Sequence, residues 1–194
     1  VMRPAAASWW PTVVVGLVVV ALLSWWTPDP GTQHRITWVE GRLGEAVDTP
    51  RMSVRATEVG FARELVSPYG QPGVSSGEDV FVVVPLQVDV RQRVAYSEID
   101  ALTADGRWYA QRTEHRGNPQ PAPPGWTSTG TAVFLVPTNR LEGLRLRITP
   151  NGREPVNHDV GISVDLLIGD AVGAVAQADA AGPLELPPSS LVVT

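Results

Sequence analysis

The residues whose types and spacing suit covalent chemistry are Gly73-Val74-Ser75-Ser76-Gly77, which match G-x-S-x-G. In acyl-transfer enzymes this pattern puts a serine on a sharp strand-to-helix turn, within reach of a histidine base and an oxyanion hole. The flanks here do not offer that turn. A Tyr69-Gly70-Gln71-Pro72 loop precedes the motif and a valine-rich strand follows it, so the segment reads as a loop. The three histidines are His34, His115 in a proline loop, and His158 beside Asp159. No two share one element at ligand spacing, so no metal centre is expected and His158-Asp159 reads as a solvated turn. Glu114-His115-Arg116 lines up an acid, a base and a cation, but adjacent residues on a loop point apart. Cysteine and lysine are absent, which excludes disulfides, thiolate chemistry, a lipoprotein cysteine and a Walker lysine. No dinucleotide fingerprint is present either. The expectation is a non-enzymatic chain without catalytic, cofactor-binding or metal-ligating residues.

The elements that would have to position such groups are strands. Leu144-Arg145-Leu146-Arg147-Ile148 alternates strictly, with arginines on one face. That arginine face reads as solvated, with an acidic partner as the sharper alternative. In 80–90, Val80, Val82, Val84, Leu86, Val88 and Val90 share one face. The other face begins apolar (Phe81, Val83) and ends polar (Gln87, Asp89), and it carries Pro85, which implies a sheet edge or a bulge. Met52, Val54 and Ala56 have one parity, Val59 and Phe61 the other. One extra residue near Thr57-Glu58, a β-bulge, would bring both sets to the core. Further strands are expected at 37–47, 98–103, 108–112, 131–136 and 161–168. Ala104-Asp105-Gly106-Arg107 supplies a hairpin turn of the type I′ kind. Seven or eight short strands in all predict an antiparallel β-sandwich over residues 36–168. Loops are expected at 67–79 and 114–128. Residues 169–194, rich in small side chains, are expected as a flexible extension.

Residues 9–26 contain no charge over 18 positions, enough for about 27 Å of helix at about 1.5 Å per residue. Trp9 and Trp10 stand at one end, Trp25 and Trp26 at the other, matching the aromatic belts of a membrane interface. The valine-rich run makes a poor soluble helix. Two tryptophans and two prolines occupy the positions where a signal peptidase needs small residues, so the span reads as an uncleaved anchor. The expected order is a cytoplasmic tail (1–8), a single transmembrane helix (9–26), a stiff linker (27–35), and an extracytoplasmic domain at the bacterial plasma membrane. Arg3 is the only charge before the span.

All 15 basic residues are arginine, a bias of high-GC bacterial genomes such as those of actinobacteria. The net charge of −5 lacks the basic stripe that nucleic acid requires, so no nucleic-acid partner is expected. Candidate partner contacts are Tyr69, Trp126, Leu191, Val192 and Val193. Trp126, on a proline-rich loop, is either a plug over the open end of the sandwich or a recognition anchor. Leu191-Val192-Val193 could add to a sheet edge.

Four stretches carry a resemblance. They are 48–57 followed by the valine strand 80–90, then 102–109, and later Ala132-Val133-Phe134-Leu135-Val136-Pro137. Together they resemble the telokin-like, immunoglobulin-like extracellular domains of Gram-positive and actinobacterial lipoproteins and secreted antigens. The resemblance implies an immunoglobulin-like sandwich and no catalytic residues. That family usually arrives on a lipid or as a free domain, whereas here a membrane helix would carry it. The leading expectation is therefore an accessory subunit of an envelope membrane complex, a transporter or secretion assembly, acting by protein–protein contacts. The alternative is an extracytoplasmic binding module for a lipid, peptide or cell-wall ligand.

Overall fold

The chain divides into residues 1–35 and residues 36–194. The structure, a computed structural model, describes residues 36–70, 72–92, 97–115, 117–150 and 160–193. The expected tail, span and linker, with Trp9, Trp10, Trp25, Trp26 and His34, lie outside the described residues. So do His158 and the side chain of His115. No helix among the described residues is long and apolar enough to cross a membrane.

In chain order the strands are β1 (Thr37–Arg42), β2 (Ala46–Asp48), β3 (Met52–Ala56), β4 (Gly60–Ala62), β5 (Glu64–Val66), β6 (Pro72–Val74) and β7 (Asp79–Val90). Then follow β8 (Ser97–Leu102), β9 (Trp108–Ala110), β10 (Trp126–Pro137), β11 (Arg145–Pro150), β12 (Val160–Asp165), helix α1 (Ala171–Ala180), β13 (Leu184–Glu185) and β14 (Ser190–Val193). One sheet has the order β1-β12-β11-β8-β9 and the other β14-β10-β7-β3-β2, with β4 also on β7. Residues Val80 to Val90 of even number face Ile99, Ala101, Leu146, Ile148, Ile162 and Val164 across the layers in one buried core. The fold is a β-sandwich.

The mixed second face of β7 has a separate cause. Phe81 and Val83 are buried with Leu65, Val133 and Leu186 beneath a small third sheet, β13-β5-β6. Beyond that cover the strand turns polar, at Gln87 and Asp89.

The bulge stands where the parity change demands it. Ala56 pairs with Leu86 but Gly60 with Val83, so Thr57–Val59 face only Val84 and Pro85. Pro85 thus sits in a central strand with its missing N–H at the irregularity, and its carbonyl accepts from Thr57 N at 3.1 Å. Phe61 is buried in the main core and Val59 packs on it.

Several expectations need correction, among them the single strand at 37–47, which is split into β1 and β2 on different sheets. The sandwich is not wholly antiparallel: β1 runs parallel to β12, and β13 parallel to β5. Each pair joins segments far apart in sequence, where no tight turn imposes an antiparallel approach. The β8–β9 turn is not type I′, because Gly106 alone takes a positive φ (80°). Gly106 N bonds Thr103 O and Thr103 N bonds Arg107 O, each at 3.0 Å, as in a type I turn closed by a left-handed glycine. The loop expected at 67–79 contains strand β6.

Most substantially, residues 169–194 belong to the domain rather than to an extension. Asp170 caps α1 by accepting from Gly173 N at 2.9 Å. Ala174 and Ala178, one turn apart, are buried in the main core, and Arg63 Nε pairs with Asp179 at 2.7 Å. The small side chains that look weak in sequence let the helix approach the sheet closely. Past the helix, β14 completes the β10 edge.

Candidate functional site

The G-x-S-x-G segment does not form a nucleophile elbow. It runs from β6 into β7 with no helix after it, and Ser75 Oγ is buried without a hydrogen-bond partner. Ser76 Oγ instead donates to Asp79 at 2.8 Å, and Arg63 Nη1 donates to Gly77 O at 3.2 Å, pinning the turn.

The arginine face is engaged rather than merely solvated. Glu40 on β1 accepts from Arg145 Nη1 at 3.1 Å and from Ser163 Oγ at 2.7 Å, and lies 3.7 Å from Arg147. Arg147 stacks 4.3 Å over the Trp38 ring, with its side chain only 11% exposed. Burial draws its pKa below the ordinary arginine value, against the pull of Glu40. Gly161 makes room for that ring: a Cβ there would lie 2.6 Å from Trp38 Cζ3. Glu40 is the hub of a charge cluster across β1, β11 and β12, in which Nε and Nη1 of Arg147 are buried without hydrogen-bond partners.

Two features point outward. The first is the free edge of β14. Leu191, Val192 and Val193 are 37%, 57% and 64% exposed on the last strand of the sheet. The direction of its unused backbone groups follows from β10. Thr131 N donates to Gly117 O (2.5 Å) and Arg112 N to Val133 O (2.8 Å), so odd-numbered residues of β10 aim their backbone groups at the β14 side. Thr127 pairs with Val192 and Thr129 with Ser190, which leaves the N–H and C=O of Leu191 and Val193 aimed away from the sheet. Both residues share the face of their register partners, Ser128 and Trp126. Trp126 opens β10 rather than standing on the loop, is half-buried, and packs on the main core. The structure therefore gathers Trp126 with Leu191 and Val193, and favours the plug reading for the indole.

The second feature is a cleft of about 600 Å³ at one end of the sandwich. Its floor is Met52, Val88, Val90, Ile99, Ile148 and Ala122, all buried apolar residues. The proline-rich segment 118–122 walls one side, and Tyr69, 70% exposed, stands among the lining residues, apart from the other candidate contacts. Glu98 and Asp100 also line it. Gln120 Nε2 donates to Ser189 Oγ at 2.9 Å, tying the proline wall to the approach to β14. Gln111 Nε2 and Asn118 Oδ1, from two residues lining the cleft, are buried without hydrogen-bond partners. Sequence reasoning did not select either residue, since nothing in the pattern places the 111–122 stretch opposite Met52 and Ile148.

The two layers and the flanking third sheet define a β-sandwich protein with a free apolar edge and an end cleft. No family model matches the chain. No curated protein matches it. It is similar to an uncharacterized β-sandwich protein from Clostridium difficile 630, at 11% identity and TM-score 0.44 over 68% of this chain and 96% of that one. It is likewise similar to a conserved hypothetical protein from Bacillus anthracis, at 10% identity and TM-score 0.45 over 60% and 94% of the two chains. The yjhA protein from Bacillus subtilis has 13% identity and TM-score 0.46 over 64% and 98%.

Proposed function

We propose that this chain is a membrane-anchored, extracytoplasmic accessory protein with an immunoglobulin-like sandwich, which contacts an integral membrane protein of the bacterial envelope through the free edge of β14. The observation that carries this reading is that, among the described residues, no strand pairs with the outer side of β14. Proteins normally blunt a free edge with charge, proline, a bulge or a covering segment. Ser190-Leu191-Val192-Val193 has no charge and no proline, and exposes three apolar side chains in a row. Such an edge suits strand addition, in which main-chain hydrogen bonds supply affinity and side chains supply selectivity. The uncharged stretch 9–26 and its tryptophan pairs support the anchor, and the resemblance to telokin-like extracellular domains supports the compartment. The test is affinity purification of the tagged full chain from native membranes in mild detergent, followed by mass spectrometry. A stoichiometric integral-membrane partner is expected. Recovery of the chain as a lone monomer would overturn the reading.

A further inference from the structure

We infer that a second copy of this chain pairs with the outer side of β14, antiparallel and about a two-fold axis at Val192, so that the two β14-edged sheets join into one. The inference goes beyond the proposed membrane contact. It names what covers the edge in a chain freed of that partner, and the two occupants compete for one strand. The backbone carries the argument. The N–H and C=O of Leu191 and Val193 aim away from β10, whereas those of Ser190 and Val192 are directed at it. About an axis at Val192, Leu191 of one copy stands opposite Val193 of the other, and Val193 opposite Leu191. In each of these pairs the two residues exchange both main-chain bonds, so the outward groups of Leu191 and Val193 are all matched in both copies.

The surroundings of the edge select this register. An axis at Leu191 would set Val193 opposite Ser189, which precedes β14, is tied to the proline wall through Gln120 and follows two prolines. The axis at Val192 uses outward groups of β14 alone. Charge selects the occupant. Pairing about a two-fold axis sets the same surface against itself, so a charge on the edge would meet its like. The chain carries a net charge of −5, yet Ser190–Val193 carries none, and a second copy meets no repulsion there. A charged strand from another protein would find no countercharge on these four residues. A purely apolar surface would leave the outward N–H and C=O groups unpaired. The exposed side chains match as well. Val192 meets Val192 of the second copy in a non-hydrogen-bonded pair, where Cα atoms approach to about 4.5 Å and side chains touch. On the opposite face Leu191 of the second copy extends the row that runs from Trp126 to Val193.

The chain contains no cysteine, so a single introduced thiol can form a disulfide only with its own copy. The experiment uses the full chain, purified in mild detergent without a partner, as Val192→Cys, Leu191→Cys and Val193→Cys. Each is treated with diamide, and covalent dimer is followed on non-reducing gels. Thiols at position 192 face each other across the axis. Those at 191 or 193 stand two residues out of step, about 8 Å apart at Cα and beyond the roughly 7 Å that a disulfide spans. Val192→Cys should therefore cross-link at least about tenfold faster than the other two. Sedimentation of the wild-type chain should show a concentration-dependent dimer. Leu191→Pro removes one bond on each side of the axis and should weaken that dimer about 25-fold, about fivefold for each net hydrogen bond. Equal cross-linking at the three positions would overturn the proposal, as random collision in a micelle gives no register. So would a wild-type chain that sediments as a monomer at every concentration, a result that needs no variant to fold. Because no partner is present, failure here leaves the membrane contact to its own test, the purification from native membranes.

Discussion

A Cβ built on Gly130 would lie 2.3 Å from Pro119 N, 2.5 Å from the Asn118 carbonyl carbon and 2.6 Å from Gly117 O, all backbone atoms. Glycine is required there because the wall of the cleft crosses directly over β10. Gly130→Ala should therefore force the 117–119 segment outward and cost about 1–3 kcal/mol, as overpacking does, read as a lower midpoint in chemical denaturation. The same residue explains why the sequence predicts a strand beginning only at Thr131: glycine looks like a breaker until its neighbour is known. A second residue-scale prediction concerns Asp105, in the β8–β9 turn. The Thr103 hydroxyl holds its carboxyl below the usual carboxylate range, helped by Arg140 at 3.4 Å and Arg107 at 3.5 Å. A folded-state pKa lowered in this way contributes stability that is fully present above the unfolded value and is lost as pH falls through the folded one. As pH falls through and below the usual carboxylate range, melting of the wild-type chain should therefore fall more steeply than that of Asp105→Asn, which cannot titrate.

At the scale of elements, what was legible in the sequence was local. Parity alone places a bulge near Thr57-Glu58, because Val59 and Phe61 have the opposite parity to Met52, Val54 and Ala56, and the structure has it across 57–59. The two-faced character of β7 was equally readable, though not its cause, the small sheet that β5 and β6 form with a strand more than a hundred positions away. Helix α1 was missed. Ala171–Ala180 has only alanines at its buried positions, Ala174 and Ala178, and so shows almost no apolar stripe. The readable signal was its N-cap, Asp170 directly before the helix. Asp170→Ala should destabilise the domain by about 1 kcal/mol through the lost bond to Gly173 N, measured by denaturant titration. The cleft was not legible for a related reason: it exists only because segments near residues 52, 99, 118 and 148 converge, and no periodicity encodes that meeting.

For the whole molecule, β14 is the edge strand among the described residues that exposes three consecutive apolar side chains. Helix α1 and the third sheet pack on other parts of the sandwich, and Glu40 stands between Arg145 and Arg147 on the five-stranded sheet. Leu191 is the position that separates contact from fold. Its N–H aims outward, so Leu191→Pro removes one donor from the free edge without removing a bond to β10. The preceding Ser190 is already extended, as a residue before proline prefers to be. The most direct measurement is a parallel purification of wild-type and Leu191→Pro chains from native membranes, with thermal unfolding recorded for both. Loss of the membrane partner from the variant, with its unfolding nearly unchanged, is the expected result; equal recovery of the same partner by both chains would contradict contact through β14.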